Sequence, residues 1–222
     1  MAAALSATGP FGMATGSYVA ERDDWRASLA RARAEGWATL ELTAIDSARL
    51  AELMTLLEVE ADALAGFARV SVHAPVRTTE TTADVVTRLS RLPFDAILHP
   101  DVYGGEPAVL TLGRKAIFEN MDVVKAFGRT AGDLTEVFAR FPDAGLCLDV
   151  AHVWTNDATL ALGHALLDAH GARLRQVHVS GIEPDGTHRT TTAADLELFA
   201  PLLERCAGVP WLLEAVLEDG TP

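Results

Sequence analysis

Four of the seven histidines and a set of carboxylates stand at or near the ends of short apolar runs. Imidazole and carboxylate are the groups that hold a divalent cation or carry a proton near neutral pH. His73 closes RVSVHAP and His99 closes FDAILHP. Glu119, followed by Asn120, lies in KAIFENMD, and Asp149, with His152 three residues on, lies in GLCLDVAH. His178, followed by Ser180, lies in LRQVHVSG; Glu214 lies in PWLLEAVL and Glu41 in ATLEL. If these ends meet, the acids repel one another and lose the water that favours their charged forms. A divalent cation relieves both effects, and Lys and Arg are scarce at these positions. Mixed imidazole and carboxylate donors suit Mn, Zn, Co or Fe better than Ca, with Mg also allowed. His188 falls in a loop, whereas His164 and His170 fall in a helical pattern and read as ordinary helix residues.

The elements that must bring these groups together repeat along the chain. Strand-like runs occur at 11–15 (or on to 19), 38–42, 69–75, 94–100, 115–122, 145–152, 174–181 and 210–217. Stretches of helical period lie between them, at 22–35, from 46 or 47 to 64, and at 82–92, 106–112, 130–141, 157–170 and 192–206. Strands that alternate with helices belong to a parallel sheet. Eight such units predict one α/β domain over residues 1–222, a compact (β/α)8 TIM barrel. An open doubly wound sheet would also alternate, but the first turn, TGS, is not a GxGxxG. In a barrel the ends of all eight strands share one face, where the active site sits. Only residues 218–222 follow the last run, so an eighth helix is expected to be missing. Either the first ten residues and neighbouring helices cover strands eight and one, or a second subunit does, making a homo-oligomer.

Composition narrows the partners. The chain has 222 residues, 49% hydrophobic and 22% charged, as a globular protein does. Thirty-one Asp and Glu against 18 Lys and Arg leave a net charge of −13, which repels nucleic acid and anionic lipid. The loops VRTTETTAD and DVYGGEP, after strands three and four, share one Arg. The reading is therefore a small-molecule substrate, no nucleic acid and no membrane. The N-terminal segment has no basic start or long apolar core, and no run approaches the roughly 20 apolar residues of a membrane span. A cytoplasmic protein is expected. Cys147 and Cys206 form no CxxC and are expected as buried thiols, one in a strand and one in a helix.

The motifs SVHAP, ILHPD, FENMD, CLDVAH, QVHVSG and LLEAV follow one another on strands three to eight. Together they resemble the xylose isomerase-like TIM barrel superfamily. That group includes sugar and sugar-phosphate isomerases and epimerases, inosose dehydratase, and endonuclease IV of the AP endonuclease family 2 type. The resemblance covers residues 69–217 and extends weakly to the first two strands. It implies a metal held by Glu119, Asp149, His178 and Glu214, with the two glutamates moving a proton. It also implies contact between His152 and a substrate oxygen. The endonuclease pattern would add His73 and His99 to Glu119 for a second metal, and His152 with His188 for a third. That pattern has an aspartate two residues before its last histidine, where this chain has Gly186, with Asp185 one residue further back. Some epimerases carry an arginine six residues after the strand-seven histidine, where this chain has Pro184. Neither pattern is completed.

The expected activity is a divalent-metal-dependent sugar or sugar-phosphate isomerase or epimerase. Glu119, Glu214 and His152 are its expected catalytic groups, with a carbohydrate or polyol as substrate. His73, His99, His188, Trp154 and Glu41 are the expected substrate contacts, although Trp154 suits packing as well as stacking and Glu41 suits a supporting hydrogen bond. Tyr103, with Gly104 and Gly105, reads as a mobile loop over the site. Lys125 and Arg129 read as a solvated turn or a phosphate contact. The alternatives are an endonuclease IV-like metallohydrolase acting on a small phosphoester and a multi-iron oxidase-type barrel.

Overall fold

Alternate residues along the strands differ in character, and the difference sets the two sides of the sheet. Leu40, Leu42, Val72, Leu98, Phe118 and Leu148 are fully buried in one large apolar core beneath the helices. The residues between them include Glu41, His73, Glu119, Asp149 and His178, which are also buried. They turn into the barrel above a small separate cluster of Ile97, Ile117 and Cys147. The outer core holds the helices on, and the polar inner row is reserved for the site.

The computed structural model describes residues 11–21, 23–60 and 62–215. Eight strands are parallel: β1 (Phe11–Ala14), β2 (Thr39–Thr43), β3 (Arg69–His73), β4 (Asp95–Leu98), β5 (Ala116–Glu119), β6 (Gly145–Asp149), β7 (Leu174–Val179) and β10 (Trp211–Leu213). They close a barrel in the order β1-β10-β7-β6-β5-β4-β3-β2. A short antiparallel hairpin, β8 (Gly181–Ile182) with β9 (His188–Arg189), rises after β7. The eight-stranded barrel read from the sequence is therefore correct.

The helices start where the sequence supplies a cap. Asp24, Asp46, Thr81, Thr130 and Thr192 accept backbone N–H groups at the starts of α1 (Trp25–Ala34), α2 (Ser47–Val59), α3 (Thr82–Arg91), α5 (Ala131–Arg140) and α8 (Ala193–Leu203). α7 spans Ala161–His170. Two short helices depart from the expected pattern: α4 (Pro100–Tyr103) opens directly after His99, and α6 (Val150–Asn156) is capped by Asp149 itself. His152 therefore sits on a helix rather than a strand. The segment expected as a helix over 106–112 is a 3-10 stretch, Pro107–Lys115, broken at Gly113 (φ 54°). α2 ends at Val59, five residues before its expected limit.

Residues 1–10 and 216–222, on which the expectation of a missing eighth helix rests, lie outside the described residues. On the strands concerned, the outward-facing Met13, Trp211 and Leu213 are buried. Phe11 meets the Trp211 ring edge-on at 5.4 Å.

Phe118 stacks on Phe141 at 5.3 Å and meets Phe138 edge-on at 6.5 Å, tying β5 to α5. Phe118→Ala is expected to lower the unfolding free energy by about 3–5 kcal/mol, read from urea denaturation.

Candidate active site

β5, β6, β7 and β10 are consecutive around the barrel. Each delivers one acid or imidazole at or near its C-terminal end. Ligand atoms of Glu119, Asp149, His178 and Glu214 all lie within 4.8 Å of one another. His178 Nδ1 is 2.8 Å from Glu119 Oε1 and 3.1 Å from Glu214 Oε1. On the opposite side of Glu119, Oε2 lies 3.4 Å from His73 Nε2 and 3.2 Å from His99 Nε2. Neither approach is a well-directed hydrogen bond, and Glu119 Oε2 and Asp149 Oδ2 are both buried without a donor. A bare carboxylate oxygen away from water is costly. Three carboxylates and one imidazole around such orphaned atoms fit a divalent cation of the Mn, Co, Zn, Fe or Mg kind.

The charges within the cluster are strongly interdependent. Burial opposes ionisation of Glu119, but His178, His73 and His99 outweigh it and hold the carboxyl well below the usual range. Burial also opposes charge on His178, yet Cys147, Glu214, Glu41 and Glu119 keep its pKa well above that of free imidazole. His73 is likewise drawn up to about 9 against burial, chiefly by Glu119 and Glu41, whereas burial lowers His99. Burial raises Glu214, with His178 opposing. The two glutamates on either side of the cluster are thus pushed apart: Glu119 stays ionised and Glu214 holds a proton more readily.

Asn120 fixes two of these groups. Its side chain spans β5 and β6, donating to the Asp149 carbonyl at 3.0 Å and accepting from the Asp149 N–H at 2.8 Å. Its own carbonyl lies 2.9 Å from His152 Nδ1. A carbonyl only accepts, so Nδ1 carries a proton and Nε2 is the ring atom free for another partner. Asn120→Ala removes both of these bonds to the Asp149 backbone. A loss of about 1–3 kcal/mol of stability is expected, with weaker metal binding measured alongside it by chelator competition.

His188 arrives from the hairpin. Its ring meets His152 edge-on at 5.5 Å, and its Nδ1 is 3.9 Å from Glu214 Oε2. A bidentate pair between Arg189 and Asp195, a residue of the α8 capping box, anchors the hairpin.

Of the site residues expected from sequence, His73, His99, Glu119, Asp149, His152, His178, His188 and Glu214 gather on this rim. Trp154 does not. It lies two residues beyond His152, which turns it to another side of α6, and it packs against the outer core. Glu41 is wholly buried inside the barrel beneath His178. Tyr103 is no mobile loop: it is fully buried, and its hydroxyl donates to the Pro75 carbonyl at 2.6 Å. Lys125 is paired with Asp101 at 2.9 Å, and Arg129 contacts the Val123 carbonyl at 3.4 Å. A cleft of about 610 Å³ beside the mouth is lined in part by Asp101, Lys125, Phe127 and Arg140. None of the clustered acids and imidazoles lines it. Sequence reasoning misses Gln176, whose only signal is its position two residues before His178, on the same strand face. It also misses the reciprocal bonds of Asn120. Cys147 and Cys206 are buried free thiols, as expected. No helix among the described residues is long and apolar enough to cross a membrane.

No family model matches the chain, and no curated protein matches it. Solved structures do. The 3-keto-D-glucoside 4-epimerase YcjR from E. coli superposes with a TM-score of 0.62 at 11% identity, over 94% of this chain and 92% of that one. D-allulose 3-epimerase from Methylomonas sp., in complex with D-allulose, gives 0.58 at 15% identity, over 96% and 85%. A xylose isomerase domain protein from Alicyclobacillus acidocaldarius gives 0.53 at 15% identity, over 95% and 90%. At these identities the likeness is one of fold: this chain has the TIM barrel found in xylose isomerase-like proteins.

Proposed function

We propose that the protein is a divalent-metal-dependent isomerase or epimerase acting on a sugar or sugar phosphate. The observation that carries the reading is the pair Glu119 and Glu214, on the outer two of four consecutive strands, with Asp149 and His178 between them. Glu119, Asp149, His178 and Glu214 would hold the cation. When bound, it supplies Lewis acidity to the oxygens of a hydroxyketone and so favours loss of the neighbouring proton.

The chain's own groups do the rest. Glu214 Oε takes the proton next to the substrate carbonyl, because burial makes this carboxyl the better proton holder of the two. Glu119, ionised at the other end of the cluster, returns a proton on that side only after receiving one, and the protonated His73, with Nε2 3.4 Å from Glu119 Oε2, is placed to pass it. His152 presents Nε2 to a substrate hydroxyl while Asn120 holds its Nδ1–H. The fold shared with two sugar epimerases supports this class.

The test is deuterium wash-in. The Mn- or Co-loaded protein is incubated in D2O with ketopentoses, ketohexoses and their phosphates, and loss of the C–H signal beside the carbonyl is followed by proton NMR. Exchange on at least one ketose supports the proposal, and no exchange across the panel with fully loaded protein counts against it.

One observation favours a second reading. His73 and His99 form a further ligand set with Glu119, and His152 and His188 adjoin it, as a multi-metal hydrolase of small phosphoesters would need. Metal stoichiometry separates the classes: one Mn or Co for the isomerase, two or three Zn for the hydrolase, two or three Fe for an oxidase.

A further inference from the structure

Beneath His178 the barrel holds a polar group that the proposed chemistry does not use. Glu41 extends from β2 across the barrel interior to β7, and none of it is exposed. Its Oε2 lies 3.0 Å from His178 Nε2 and 2.6 Å from Gln176 Nε2, and it accepts from Ser71 Oγ at 3.3 Å. Three potential donors from two other strands, β3 and β7, therefore converge on one oxygen.

The side on which the cation is held decides where the imidazole proton sits. Both ring nitrogens face carboxylate oxygens, Nε2 that of Glu41 and Nδ1 those of Glu119 and Glu214, and such oxygens only accept a hydrogen. Gln176 directs its amide N–H to the same Glu41 oxygen, and its Nε2 also lies 2.9 Å from His178 Nε2. A cation held by Glu119, Asp149 and Glu214 would take Nδ1 and leave the ring proton on Nε2, facing Glu41. Imidazole binds a cation through an unprotonated nitrogen, and a carboxylate behind the ring fixes both tautomer and ring angle.

We propose that Glu41, braced by Gln176 and Ser71, is the positioning residue that holds His178 with Nε2 protonated and Nδ1 facing the cation. Glu41 is therefore a support for a metal ligand and not a contact for substrate. The inference rests on the metal site proposed above. Glu41 also lies within 4.8 Å of ligand atoms of His73 and Glu214, so direct ligation by Glu41 is the rival role.

Two measurements decide between them. The first needs no variant: long-range proton–nitrogen NMR of the histidine rings in the Zn-loaded wild-type protein. The expected pattern for His178 is a protonated Nε2 and a metal-bound Nδ1; a protonated Nδ1, or an Nε2 without its hydrogen, overturns the proposal. The second is Mn2+ affinity of the apo protein by competition with a chromophoric chelator. Glu41→Leu is expected to weaken binding about 10–100-fold, and Glu41→Gln, which keeps an acceptor oxygen, to restore part of that loss. Equal affinity in wild type and Glu41→Leu overturns this inference while leaving the metal site intact. Failure of the wild-type protein to bind Mn2+ or Zn2+ removes the metal site itself.

Discussion

Asp149→Asn is expected to lose at least about a hundredfold in divalent-metal affinity, since losing a direct ligand should cost at least as much as losing a group behind one. The substitution isolates charge from structure. Asp149 Oδ1 caps α6 by accepting the His152 N–H at 2.7 Å, and asparagine caps a helix about as well as aspartate. The barrel should therefore fold normally without metal. The difference appears when metal is added at a concentration 100 times the wild-type Kd. Binding linkage then stabilises the wild type by about 2.7 kcal/mol and the variant by about 0.4 kcal/mol or less. Thermal or urea unfolding of both proteins, with and without Mn2+, reads this directly. An equal metal-dependent gain in the two would show that Asp149 is not a ligand.

Glu214→Gln is expected to abolish proton transfer while substrate still binds. The amide keeps the shape and one donor oxygen for the cation but cannot take a proton, and loss of a general base costs about 10²–10⁴ in rate. The burial that raises the Glu214 carboxyl comes with a position just past β10, where it is more exposed than Glu119 and open to a ligand in the mouth. Deuterium wash-in should fall by that factor, and calorimetric affinity for the same ketose should change far less. Wild-type exchange in the variant would take Glu214 out of the reaction, and equal loss of binding and rate would assign it to ligand holding alone.

Much of the rim is legible in the amino-acid sequence, for a physical reason. A closed parallel barrel brings the C-terminal ends of its strands together, so naming what each strand ends with names what the rim contains. Glu119, Asp149 and His178 need only that rule. In β3, Ser71 and His73 share one face and Val72 takes the other, which is the two-residue period written in the sequence.

The rest depends on distances that sequence does not carry. Glu41 is readable as an inward residue, but its depth in the barrel comes from the stagger between strands. Only the fold shows that it lies below His178. Trp154 is close to His152 in sequence, but α6 begins at Val150, and a helix turns neighbours two apart to different sides. Tyr103 precedes two glycines in a stretch with turn character, and the Pro75 carbonyl that captures its hydroxyl is 28 residues away. Asn120 reads as a companion of Glu119. Its reciprocal bonds to Asp149 need β5 and β6 to be adjacent.

The central claim is that one cation is gripped by four strand-end side chains. Anomalous diffraction from crystals of the wild-type protein grown with Mn2+ tests it most directly. The account predicts a strong peak about 2.0–2.3 Å from ligand atoms of Glu119, Asp149, His178 and Glu214. A Mn-saturated crystal with no peak there, or with its peak held by other residues, would contradict it.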